Sequence, residues 1–100
     1  MNVVLRDEAR SDIVDGASFF DSQRDGLGDY FVNCVFEDLR TMESHLVLHE
    51  VVFGLHRKLV TRFPFAIYYL AEPQMIDVVA ILDCRRDPNL IAETLQSRNS

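Results

Sequence analysis

Cysteine, tryptophan, glycine and proline are all scarce in this chain of 100 residues, and the shortages exclude several classes of protein. Two cysteines, Cys34 and Cys84, are too few for the disulfide framework of a small secreted domain, and we expect both to be reduced and packed. Four glycines and three prolines exclude collagen-like and low-complexity chains. The longest apolar run, residues 63–71, is less than half a membrane span. The N-terminus has no basic segment before an apolar stretch, so we expect no signal peptide and a cytoplasmic location.

Positive charge is also in short supply, and it is unevenly placed. The formal net charge is −6; residues 1–53 carry four arginines and eleven acids, whereas residues 54–100 carry six basic residues and five acids. A net acidic chain is a poor general binder of nucleic acid, because such binding depends on neutralising phosphates. The basic stretch within residues 55–65 still allows a specific polar partner.

The first half of the chain has the apolar periodicity of two helices. From Asp7, apolar residues recur at spacings of four, four and three as far as Phe20. Gly16 either weakens this helix by about 1 kcal/mol or lets another element pack close. A glycine turn at residues 24–26 leads to a second apolar stripe over residues 27–43, so the two helices are predicted to form a hairpin.

The second half has the patterns of strands. Residues 55–63 alternate, and residues 66–71 and 75–83 are apolar and β-branched; residues 1–5 suggest a further short strand, and residues 44–54 a loop. Asp87 and Pro88 predict the start of a short C-terminal helix running to about Gln96. We therefore predict one α+β domain over residues 1–100, with an N-terminal helical hairpin packed on a small antiparallel β-sheet and a short C-terminal helix.

Few residues indicate catalysis or a bound group. The sequence contains no glycine-rich phosphate loop, nucleophile elbow or zinc-protease motif. Four acids at helical spacing favour a solvated helix face, and three histidines at positions 45, 49 and 56 lack a metal-ligand spacing. We predict no metal and no cofactor.

A set of basic and aromatic residues is the best candidate for binding a target. Arginine pairs suit carboxylate or phosphate recognition, because the planar guanidinium forms two parallel hydrogen bonds. Tyr68 and Tyr69 must point to opposite faces of a strand, so we expect only one of them beneath the helices and the other open to solvent. The basic candidates, which could converge near one rim of the sheet, are Arg57, Lys58, Arg62, Arg85 and Arg86.

Two stretches of the chain resemble the RelE/ParE toxin superfamily, on its ParE-like, plasmid-stabilisation side. Residues 54–69 contain the run Arg62-Phe63-Pro64 followed by Ile67-Tyr68-Tyr69, and residues 80–88 contain Arg85-Arg86-Asp87-Pro88. Residues 8–9 and 23–31 are similar to the helical hairpin of the same family. The resemblance covers nearly the whole chain in order.

This resemblance implies a bacterial toxin of a type II toxin–antitoxin module, neutralised by a tightly bound cognate antitoxin protein. ParE-like toxins inhibit DNA gyrase, whereas RelE-like toxins cut mRNA on the ribosome. Many relatives carry histidine where this chain has Asp83, whose carboxylate would repel a scissile phosphate. That departure favours gyrase inhibition without enzymatic activity.

Two alternatives remain open at this point: a ribosome-dependent mRNA endonuclease, and a non-toxic module that binds only its antitoxin. The resemblance further implies either a homodimer or a toxin–antitoxin hetero-oligomer.

Overall fold

The computed structural model describes residues 2–45 and 48–99, and its elements follow the predicted order closely. Within the described residues, no helix is both long and apolar enough to span a membrane. The elements are β1 (Asn2–Leu5), α1 (Asp7–Gln23), α2 (Leu27–Ser44), β2 (Val51–Val52), β3 (Leu55–Leu59), β4 (Phe65–Ala71), β5 (Met75–Asp83) and α3 (Pro88–Asn99).

The strands form one mixed sheet in the order β1-β5-β4-β3-β2. The three central strands are antiparallel, as predicted, but β1 pairs in parallel with β5 through residues 2–5 and 75–78. A two-residue strand, β2, extends the sheet from within the predicted loop. Sequence periodicity does not identify the partner of a strand, and a strand of two residues is too short to show a period.

Two apolar cores cover the two faces of the sheet. The α+β prediction is confirmed, and α3 adds a third layer on the face opposite the helical hairpin. One core joins the helical hairpin to the sheet through residues such as Phe31, Val35 and Ile67. The other places Ile91 and Leu95 of α3 against Leu82 and the neighbouring strands. The sheet is therefore covered on both faces, which is why β4 and β5 are largely apolar.

Helix boundaries follow local chemistry. Asp87 caps α3, because its carboxylate accepts a hydrogen bond of 2.9 Å from the Asn89 N–H. Gly26 precedes α2 with a φ of 87°, a conformation that favours glycine. The structure extends α3 to Asn99, three residues past the predicted end.

The strand β3 ends at Leu59, four residues earlier than predicted. Val60 turns into the hairpin-side core, and its N–H donates to the Phe65 carbonyl, which closes a tight connection to β4. Residues 60–64 are consequently a turn, and Arg62 lies at its tip rather than on a strand.

Candidate functional site

The structure separates Arg57 from Lys58, which are neighbours in the sequence. Arg57 lies opposite Tyr68 in the sheet and forms an ion pair with Glu50. Lys58 projects from the other face toward α2, where its Nζ lies 3.6 Å from the Asp38 carboxylate. Each of the two cations is paired with a carboxylate, and the two lie on opposite faces of the sheet.

Arg62, Arg85 and Arg86 lie on two segments that meet at one end of the sheet, which we call the basic end. The turn of residues 60–64 leaves β3 there, and the segment after β5 arrives at the same place. The Cys84 N–H donates to the Pro64 carbonyl at 2.8 Å, so the two segments are directly joined. Three of the five predicted cations therefore lie on segments that meet at this end of the sheet.

Arg85 is tied to Asp83 within the basic end. Its Nε and Nη2 lie 3.0 and 2.8 Å from the two carboxylate oxygens, a bidentate pair. This hydrogen bond, more than any other influence, lowers the pKa of Asp83 from its ordinary value. Arg86 is exposed and contributes a smaller lowering of the same pKa.

Arg62 occupies a backbone conformation that few residues other than glycine adopt. Its φ is 70°, which costs an arginine roughly 1–2 kcal/mol relative to the right-handed region. Its Nη1 donates a hydrogen bond of 2.7 Å to the Tyr30 hydroxyl. Arg62 was among the predicted candidates but Tyr30 was not, because no local pattern relates residues 32 positions apart.

The turn that carries Arg62 is fixed from both sides. The buried Asp38 carboxylate accepts hydrogen bonds from the Thr61 N–H at 2.8 Å and the Thr61 hydroxyl at 2.9 Å. Phe63, on the other side of Arg62, packs edge-on against Phe20 and Phe31 at ring-centroid distances of 4.8 and 5.2 Å. These contacts hold the turn in place and offset the unfavourable backbone conformation at Arg62.

Tyr68 and Tyr69 lie on opposite faces, as predicted, but both are buried. Tyr69 belongs to the hairpin-side core and Tyr68 to the α3-side core. The expectation that one hydroxyl would face solvent is not met, because α3 covers the second face. Burial raises the pKa of Tyr68 and of the nearby Cys84 thiol.

A histidine network surrounds Tyr69. The Tyr69 hydroxyl lies 2.8 Å from His49 Nδ1, and the His56 ring stacks on Tyr69 at 5.2 Å. Burial, followed by the charge of Lys58 and by His56, lowers the pKa of His49. No group of three or more metal-ligating side chains occurs among the described residues; absence of metal dependence stays a prediction, testable by measuring zinc after dialysis against a chelator.

An apolar groove on the outer face of the helical hairpin was not predicted as a site. It measures about 360 Å³ and is open to solvent between α1 and α2. Val14 and Phe36 on its walls are 66% and 41% exposed, which is high for large apolar side chains. We call this feature the hairpin groove; it is lined by Leu5, Arg10, Ile13, Val14, Ala17, Val32 and Phe36.

The fold has a counterpart among solved structures. A chain described as the chromosomal ParDE TA system from P. aeruginosa superposes with a TM-score of 0.68 at 14% sequence identity, covering 81% of this chain and 92% of that chain. This chain has a ParE-like fold. No family model and no curated protein matches the sequence.

The ParE-like fold agrees with the architecture that the sequence resemblance implied. At 14% identity, the likeness concerns the fold rather than individual side chains. The site residues must therefore be judged from this chain's own geometry. Two surfaces stand out on that basis: the basic end and the hairpin groove.

Proposed function

We propose that this chain is the toxin component of a type II toxin–antitoxin module, forming one toxin domain over residues 1–100 and acting in the cytoplasm on DNA gyrase. The observation that carries the proposal is the ParE-like fold, shared with a chain of a toxin–antitoxin system over most of both chains. The chain acts by binding its target and carries out no reaction.

The hairpin groove is the proposed binding surface of the cognate antitoxin. Its exposed apolar walls are of the kind that amphipathic helices cover. Arg10 is the charged residue among those that line the groove, and the rest are apolar. An antitoxin helix with apolar anchors along one face is therefore complementary to it. Binding of this segment would give a toxin–antitoxin hetero-oligomer.

The basic end is the proposed target-binding surface. Arg62, Arg85 and Arg86 are exposed there, whereas Tyr68 and Tyr69 are buried and support the sheet behind them. Arg57 and Lys58 are committed to Glu50 and Asp38 and contribute less to such a surface. Arginine is enriched among the residues that dominate protein interfaces.

Expression of the chain in bacterial cells tests the proposal. We expect growth inhibition accompanied by a DNA-damage response, relieved by co-expression of the cognate antitoxin, and inhibition of supercoiling by purified gyrase. Cleaved mRNA without DNA damage would instead indicate a ribosome-dependent endonuclease. Normal growth, with antitoxin binding retained, would indicate a non-toxic binding module.

A further inference from the structure

Folding alone does not require an arginine at the tip of the turn that carries Arg62. Glycine or asparagine would adopt a φ of 70° more readily than arginine does. The turn is nevertheless built rigidly around this residue, with Thr61 bound to Asp38 and Phe63 held among aromatic rings. Strain that the surroundings hold in place is concentrated at binding and catalytic sites in proteins.

The charge of Arg62 is held in position without being neutralised. Among the described residues, its guanidinium makes one side-chain hydrogen bond, to the neutral Tyr30 hydroxyl, and no ion pair. Arg57, Lys58 and Arg85 each lie against a carboxylate instead. The remaining N–H donors of Arg62 form a planar fork whose orientation is set by Tyr30.

We propose that Arg62 anchors the target by binding a carboxylate of an acidic protein surface, and that Tyr30 is its positioning residue. This inference rests on the proposed function and adds the chemistry that the target must present. A protein carboxylate fits better than a nucleic-acid backbone, because the chain has a net charge of −6 and phosphate binding requires several cations together.

The central experiment pairs thermal unfolding with growth inhibition for the variant Arg62→Asn. Asparagine tolerates the left-handed backbone, so we expect the melting temperature to stay the same or rise by a few degrees, at most about 5 °C. Growth inhibition should weaken by about tenfold or more, measured as the expression level that halves the growth rate. We therefore expect a loss of growth inhibition without a loss of stability.

Companion variants test separately the positive charge of Arg62, its planar guanidinium and the positioning of its side chain by Tyr30. Arg62→Lys keeps the positive charge and the strained backbone but loses the planar guanidinium, so we expect weakened growth inhibition and an unchanged melting temperature. Tyr30→Phe should weaken inhibition by roughly threefold, with Arg62 still present. Arg24→Asn removes another exposed arginine at an ordinary φ, and it should change neither readout.

Three results would overturn the inference. Full inhibition by Arg62→Asn would show that Arg62 is not an anchor, while leaving the proposed function intact. A fall of many degrees in its melting temperature would show that Arg62 holds the turn together. Binding of labelled RNA or DNA oligonucleotides at physiological salt, lost in Arg62→Asn, would assign the arginine to phosphate rather than carboxylate. A wild-type chain that does not inhibit growth contradicts the proposed function itself.

Discussion

Gly16 lies where α1 passes closest to the aromatic cluster beneath it. A Cβ atom at this position would be 2.7 and 2.9 Å from Cε2 and Cζ of Phe31, and 3.3 Å from Phe65. Phe31 is fully buried and packs against Phe20, Phe63 and Phe65, so its ring has little room to move. The glycine is therefore a packing requirement, which was one of its two predicted explanations.

Gly16→Ala is expected to destabilise the chain even though alanine favours helices by about 1 kcal/mol. Overpacking of a dense core costs about 1–3 kcal/mol, so a net loss of about 1 kcal/mol should lower the melting temperature by roughly 4–8 °C. Ser18→Ala, at an exposed position of the same helix, is the matched control and should be neutral or slightly stabilising. A melting temperature for Gly16→Ala equal to that of the control would contradict this account.

Arg85 and Arg86 are residues whose loss should affect function more than folding. Arg85 pairs with Asp83, but its side chain is 58% exposed, and exposed ion pairs contribute little to stability. The double variant Arg85→Glu with Arg86→Glu should reduce growth inhibition while its unfolding temperature moves by only a few degrees. Unfolding many degrees earlier would mean that these arginines hold the strand-to-helix corner together, and full toxicity would remove the basic end from the target surface.

At the scale of elements, side-chain hydrogen bonds join α3 to the rest of the fold beside residues 79–83, the part of β5 that β1 does not pair with. The strand β1 covers β5 only through residues 75–78, so among residues 2–45 and 48–99 no strand pairs with residues 79–83 on that side. Asp12 of α1 accepts a hydrogen bond of 2.9 Å from the Ile81 N–H there. Arg98 of α3 bonds the same carboxylate at 2.6 and 2.9 Å and reaches the Val79 carbonyl at 3.3 Å. Two side chains thus satisfy backbone groups that a strand would otherwise pair.

Asp12→Asn should destabilise the chain by about 2 kcal/mol, because Asp12 and Arg98 are only 10% and 18% exposed and the arginine would lose its counter-charge. Denaturant unfolding measures the loss. Asp15→Asn, three residues along the same helix at an exposed position, should change stability by less than about 0.5 kcal/mol. Equal effects of the two substitutions would show that the Asp12–Arg98 pair does not fasten α3.

At the scale of the whole molecule, the two proposed surfaces belong to different parts of the fold. The hairpin groove is formed mainly by α1 and α2, with Leu5 of β1 at its edge, whereas the basic end is formed by the β3–β4 turn and the segment after β5. An antitoxin bound in the hairpin groove need not touch Arg62, Arg85 or Arg86. The two binding activities should therefore be separable by mutation.

Val14→Glu combined with Phe36→Glu should weaken antitoxin binding by tenfold or more, because it places charge on both apolar walls of the groove. Growth inhibition should persist and should no longer be relieved by the antitoxin. The melting temperature should change little, since both side chains are already exposed. Leu90→Glu, an exposed apolar position on α3, serves as the control and should bind antitoxin normally. Unchanged antitoxin affinity of the double variant, measured by calorimetry, would rule out the groove.

Local patterns in the sequence determined the helices, the three central strands and the capped start of α3. The stripe ending at Phe20, the apolar run of β4 and the Asp87-Pro88 pair each report on neighbouring residues, because helix period, strand period and capping act over a few positions. The resemblance to the RelE/ParE superfamily added the arrangement of these elements. The α+β architecture was therefore predictable.

Only the tertiary structure decided which residues meet. The parallel pairing of β1 with β5 joins residues more than 70 positions apart, and the coverage of Tyr68 depends on the docking of α3. Alternation along β3 places Arg57 and Lys58 on opposite faces, but their pairing with Glu50 and Asp38 depends on tertiary contacts. Arg62 differs from the other arginines because its guanidinium binds Tyr30 on α2 and its backbone lies in a turn that Asp38 holds. Such contacts depend on long-range packing, which local periodicity does not encode.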